Sequence, residues 1–286
     1  MSILTVKPIN LKKGKGRPPL GHELFPQLAA NIYISAGTKS GKTTLISHIL
    51  DHCAGKKTKV FIFCPTVYID KTYKHITEQL TKRKIDHNIY QHFIDENGIN
   101  ILDGIINELI KQSEPKPQTD ERKIKSHKIV NGEIVREYYE QEKKRHSVGN
   151  NTYGDPTSHS ETRAQKEKDS SKDPQYFFIF DDLSSDMRHK SIYKLLAKQR
   201  HFKSKTIIST QSINNLMPNS IGQLDYILVF GGQREEAIEG LRRKLDLPIG
   251  EDDFNRLYHE ATNEKYHFLY IDRREVEFKK DFEIKL

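Results

Sequence analysis

AGTKSGKTTLISH, residues 36–48, decides the fold, because it lies between an apolar stretch, NIYIS (31–35), and a helix-forming run that continues to position 50. Strand, glycine-bearing loop and helix in that order are the setting in which a phosphate-binding loop works. Gly37 and Gly41 can take backbone angles closed to other residues. The N–H groups of the loop, which also contains Thr38, Lys39 and Ser40, can therefore turn inward around an anion, and the helix start adds its partial positive charge. Lys42 is placed to reach the β- and γ-phosphates of ATP, the Thr43 hydroxyl to join the shell of a Mg²⁺ ion, and Thr44 to close the binding run. Ala36 stands where the first glycine of such a loop is usual, a mild departure because the position only opens the loop.

A second stretch strengthens the first. YFFIFDD (176–182) is a continuous apolar run ending in two acids, as expected of a buried strand that delivers carboxylates to its C-terminal edge. Asp181 is the better candidate for holding Mg²⁺ through water, and Asp182 for polarising the attacking water or accepting its proton. TIIST (206–210) is a third β-branched strand and ends in Gln211. In a parallel sheet it can lie beside the loop strand, where the Gln211 amide can orient water or sense the γ-phosphate.

The chain has 286 residues and a mass of 33.3 kDa, enough for one α/β domain with a modest extension but not for a second large domain. Its net charge of +8 is compatible with a polyanionic partner and is weak evidence for one by itself. Cys53 and Cys64, its only cysteines, fit free buried thiols in a reducing compartment. The first 20 residues lack the apolar core of a signal peptide and no run approaches 18 apolar residues, so neither secretion nor a membrane span is expected.

Four regions are expected: a basic N-terminal arm (1–25), a first part of the core (26–110), a polar insertion (111–175) and a second part of the core with a C-terminal extension (176–286). Within them, strands are expected at 59–64, 226–230 and 266–271, and helices at 75–84, 99–110, 191–200, 234–245 and 252–260. In the insertion, IVNGEIV (129–135) reads as a hairpin turning at Asn131 and Gly132, with mobile ends on either side. Gly231 and Gly232 form either a hinge or a turn. The sum is an α/β, RecA-like P-loop fold: a mostly parallel central sheet with helices on both faces.

Taken together, AGTKSGKTT, YFFIFDD, KQRHFKSKTIISTQS and YILVF resemble the viral genome-packaging ATPases of the poxvirus type, within the FtsK/HerA-like translocase group and its virophage and giant-virus relatives. The resemblance covers about 31–271 with the insertion omitted. It implies Mg-dependent ATP hydrolysis that drives double-stranded DNA into a preformed capsid through a homo-oligomeric ring, often a hexamer. It further implies docking on a capsid vertex protein and residence in the host cytoplasm, a viral factory or the virion. In such a ring an arginine from the next subunit offsets charge on the γ-phosphate. Arg200 is the first choice for that role, with Arg234, Arg242 and Arg243 as alternatives. The competing reading is a non-translocating P-loop protein, either a nucleotide switch or a small-molecule kinase. No acceptor lid or Asn-Lys-x-Asp loop favours it.

Overall fold

A computed structural model describes residues 18–113, 128–130, 133–135, 174–183 and 186–286. The chain runs β1 (Ala30–Ser35), α1 (Lys42–Cys53), β2 (Lys59–Phe63), α2 (Lys71–Lys82), β3 (His87–Tyr90) and α3 (Ile101–Ser113). It continues through the short β4 (Lys128–Val130) and β5 (Glu133–Val135) to β6 (Tyr176–Asp181), α4 (Lys190–Ala197), α5 (Gln199–Phe202) and β7 (Ser204–Thr210). The last part comprises α6 (Pro218–Ile221), β8 (Tyr226–Phe230), α7 (Glu235–Leu245), α8 (Glu251–Ala261), β9 (Phe268–Asp272), β10 (Glu277–Lys280) and β11 (Ile284–Lys285).

Among the described residues, nine strands form one sheet in the order β11-β10-β9-β8-β1-β7-β6-β2-β3. The pairings from β8 across to β3 are parallel. The strands from β9 to β11 are added antiparallel at one edge. The parallel strands read as unbroken apolar runs because both of their faces are covered. All six residues of β1 and all five of β8 are buried.

Alternate side chains feed two cores. On one face Ile32, Ile34, Val60, Ile62, Ile179 and Ile207 pack under α1 and α2. On the other, Tyr33, Phe61, Phe63, Phe178, Phe180 and Ile208 pack under α3, α4, α7 and α8. Each fully buried side chain of this size contributes roughly 1.5–3 kcal/mol. The architecture is thus the RecA-like P-loop arrangement, with a mostly parallel sheet and helices on both faces.

Several expected boundaries move. The helix expected at 75–84 begins four residues earlier, where Asp70 caps it by accepting the Thr72 N–H at 2.7 Å. The one expected at 191–200 breaks at Lys198 into α4 and α5. The strand expected at 266–271 starts only at Phe268, since Tyr266 has a φ of +73°. β3, β10 and β11 carry too few buried side chains to stand out as apolar runs. Leu24 and Phe25, at the end of the expected arm, are buried, and the Phe25 ring lies 5.0 Å from that of Tyr226. β4 and β5 pair antiparallel with Ile129 opposite Ile134. The turn of that hairpin, most of the 111–175 stretch and residues 1–17 lie outside the described residues.

Candidate nucleotide-binding site

Because β7 lies between β1 and β6, the loop after β1 and the acids after β6 flank the end of the strand that carries Gln211. The register brings them level, with Ser35 opposite Thr210 and Asp181 opposite Ser209. Ala36, at the foot of the loop, is buried and donates its N–H to Thr210 O at 3.4 Å. Gly37, Thr38 and Lys39 are exposed, and Ser40 to Thr43 are half-buried. Gly41 has a φ of +97°, as expected of the residue that turns the chain into α1. The second left-handed residue is Lys39, at +62°, and not Gly37. That conformation is open to an ordinary side chain, so the first half of the loop turns without needing a glycine.

No side chain caps α1 and its first turn holds no acid, so the N–H groups of that turn point at the loop unclaimed by a carboxylate. Lys42, the first residue of α1, pairs with Asp182 and lies 3.2 Å from Asp181 Oδ1. Burial pulls the Lys42 ammonium down, but the charges of Asp181 and Asp182 outweigh it and hold its pKa above the usual lysine value. Asp181 is 2% exposed. Burial pushes its carboxyl up, the Lys42 charge opposes that shift, and neighbouring Asp182 adds to it. Asp182 is partly exposed, has a φ of +55° and donates its N–H to Ser209 O at 3.2 Å, which turns its side chain back toward Lys42.

Two contacts were not foreseen. Tyr73, fully buried on α2, donates its hydroxyl to Asp181 Oδ2 at 2.9 Å. Gln233, just past Gly231 and Gly232, donates Nε2 to Ser35 O at 3.0 Å and takes its own backbone N–H to Tyr258 Oη at 3.1 Å. Gly232 has a φ of +82°, so the glycine pair makes a turn that delivers Gln233 to the base of the loop. The one signal for Gln233 was its position three residues beyond the end of β8, a strand adjacent to β1. Tyr73 left none, since a tyrosine at helical spacing reads as core.

The donor set suits a hard cation such as Mg²⁺. Asp181 Oδ1 is buried beside Lys42 and accepts no hydrogen bond of normal geometry, and Thr43 brings a hydroxyl at the start of α1. Among the described residues no group of three His, Cys, Asp or Glu is arranged to cage an ion.

Gln211 is exposed at the end of β7, on the same edge as the loop. Arg200 is exposed on α5, before β7 begins, and so lies at the opposite edge of the sheet. Of the alternatives, Arg234 is exposed beside Gln233 on the loop edge. Arg242 donates to Ile249 O at 3.1 Å, and Arg243 pairs with Glu239 at 3.2 Å. Among the described residues no helix is long and apolar enough to cross a membrane.

No family model and no curated protein matches the chain. Solved structures that resemble it include the genome packaging NTPase B204 from Sulfolobus turreted icosahedral virus 2 in complex with AMP. That match has 15% identity and a TM-score of 0.48, and covers 90% of this chain and 98% of that one. B204, the DNA-packaging ATPase from Sulfolobus turreted icosahedral virus, matches with 12% identity and a TM-score of 0.48, covering 89% and 97%. The cytoplasmic domain of the Thermomonospora curvata type VII secretion ATPase EccC matches with 11% identity and a TM-score of 0.46, covering 85% of this chain and 24% of that one. None of the three is a poxvirus protein, and at these identities the likeness assigns neither family nor activity. The fold and the site rest on this chain's own geometry: a P-loop α/β protein whose loop lysine is paired with two acids two strands away.

Proposed function

We propose that the chain is a Mg-dependent ATPase that moves double-stranded DNA through a homo-oligomeric ring, a hexamer in the first instance, to package a viral genome into a preformed capsid. The observation that carries the reading is the convergence of Lys42 with Asp181 and Asp182 across the strand that ends in Gln211. That set supplies a phosphate cradle, a metal ligand, a base and a water-orienting amide on one edge, as nucleotide hydrolysis requires.

In this reading the loop N–H groups from Gly37 to Thr44 bind the phosphates, and Lys42 leaves its carboxylate partners to meet the β- and γ-oxygens. Thr43, and Asp181 through water, would hold Mg²⁺, which would supply positive charge against the phosphates. Asp182 takes the proton of the attacking water, which Gln211 orients. Arg200 acts on a neighbouring subunit's nucleotide, because its own loop lies at the far edge of the sheet. DNA is held through its phosphates without sequence preference, so binding weakens steeply with salt. A capsid vertex protein is the docking partner, and the site of action is the host cytoplasm, a viral factory or the virion. The four regions bounded at 25, 110 and 175 belong to the same proposal.

The test is ATP hydrolysis by the purified chain with and without double-stranded DNA, with Asp182→Asn as control and the assembly mass measured in the same buffer. Stimulation by DNA in an assembled, Asp182-dependent species supports the motor. DNA-indifferent turnover by a persistent monomer replaces it with the switch or small-molecule kinase reading.

A further inference from the structure

Tyr266 is a large aromatic side chain that neither core uses. It is 60% exposed, whereas Phe268 two residues later is buried. Its φ of +73° is one that bulky residues rarely adopt, and it turns the ring out of the line of β9. The backbone behind it is fixed, because Asp281 accepts hydrogen bonds from His267 Nδ1 at 2.6 Å and from the Phe268 N–H at 3.2 Å. The ring lies against the phosphate loop: a Cβ on Gly41 would sit 3.3 Å from Tyr266 Cδ1. Lys265 Nζ is 4.8 Å from the ring centroid.

The layout of the sheet gives this ring a direction. Asp181, Asp182 and Gln211 stand at the ends of β6 and β7, on one side of β1, while β8 and β9 lie on the other. A triphosphate whose γ end faces the carboxylates must lead its α-phosphate and nucleoside away from them, over the ends of β8 and β9. Phe268, at the start of β9, pairs with Phe230 at the end of β8, so the 265–267 segment projects from that same edge.

We propose that Tyr266 is the platform on which the nucleobase stacks, with Lys265 beside it. The proposal rests on the nucleotide reading above and extends it to the base. Every base presents a π-face, so a single stacking ring accepts purine and pyrimidine nucleotides alike and gives little discrimination among them.

The test compares binding of Mg·ATP and of inorganic tripolyphosphate to the full chain by calorimetry, since the second probe engages the loop but has no base. Tyr266→Ala is expected to weaken ATP about 5- to 150-fold, the equivalent of ~1–3 kcal/mol of stacking. Tripolyphosphate binding should stay at the wild-type value, and Tyr266→Phe should retain ATP. Wild-type ATP affinity in Tyr266→Ala overturns the platform, as does an equal loss of both probes, which marks a collapsed loop. Wild-type chain that binds neither probe overturns the nucleotide reading and the platform with it. Binding of both by the wild type, with no response to Tyr266→Ala, overturns the platform alone.

Discussion

Replacing Tyr73 by Phe removes one oxygen from the interior and nothing else of consequence, so its effect can be worked out in advance. The Tyr73 hydroxyl donates to Asp181 Oδ2 at 2.9 Å, with the tyrosine fully buried and the aspartate 2% exposed. A hydrogen bond to a charged group is worth roughly 1.5–3 kcal/mol, and water has no route to replace it here. For a domain of this size each kcal/mol moves the Tm by about 2–4 °C, so Tyr73→Phe should melt roughly 3–12 °C below wild type at neutral pH.

The same change acts on chemistry. Burial raises the Asp181 pKa, and the Tyr73 bond is one of the contacts that lowers it, so its loss moves the pKa further up. A carboxyl raised in the folded state favours the protonated form there. The cost of ionising Asp181 is therefore absent below the unfolded carboxyl's pKa, grows as pH rises from there, and is complete above the folded pKa, so a further rise in the folded pKa opens its gap at the upper end of that window. The stability gap between Tyr73→Phe and wild type should narrow in acid, while the acid limb of the hydrolysis profile shifts to higher pH. Thermal melts from pH 4 to 8 and a pH–rate profile check both. A Tm within 1 °C of wild type together with an unmoved acid limb refutes the reasoning and leaves Tyr73 as packing alone.

Gly41→Ala should abolish nucleotide binding while the fold persists, because it places a side chain at a φ of +97° and 3.3 Å from Tyr266; circular dichroism beside an ATP titration separates the two effects. Lys42→Ala removes the cation that holds down the Asp181 pKa, so its melting temperature should fall behind wild type at pH 8 and recover toward pH 5. At 100 Kd of Mg·ATP, wild type should gain about 2.7 kcal/mol and Lys42→Ala almost nothing. Arg200→Ala and Lys42→Ala subunits, each inactive alone, should regain part of the turnover when mixed if Arg200 serves a neighbour's site; no recovery across mixing ratios excludes it.

What could be read from the residues follows from how each is used. The strands β1, β6, β7 and β8 were legible because burial on both faces makes them continuous apolar runs, and the site residues at their ends were legible because the loop and the paired acids each have a local pattern. β3 was not, since its four residues are only half-buried at the sheet margin. Tyr73 and Gln233 act through partners 108 and 198 positions away in sequence; Tyr73 left no local trace, and Gln233 only its place just past a strand beside β1. The left-handed turn at Lys39 was hidden for a different reason: composition points to the glycines, whereas the backbone needs only one of them at a left-handed angle.

The buried end of the Lys42–Asp181 pair makes little sense as a stabilising device. An ion pair taken out of water gains little over apolar side chains of similar volume, and removing one partner leaves a costly charge behind. Here one oxygen of Asp181 is tied down by Tyr73, and the other is left with a lysine and no hydrogen bond. Asp182 is meanwhile held at a left-handed φ that turns its side chain toward the same lysine. Local rules of packing and satisfaction are broken at three neighbouring positions, all on the edge to which the phosphate loop opens. A second group of buried charge, Lys205, Asp225 and Asp272 with Arg274, sits at the other end of the strands, but there Asp225 accepts from the Asn31 N–H, from Gln199 Nε2 and from Arg274, and Lys205 donates to Gln27 O. An under-bonded carboxylate beside the loop lysine suits a nucleotide site, because the lysine can exchange that carboxylate for a phosphate at little cost in hydrogen bonds.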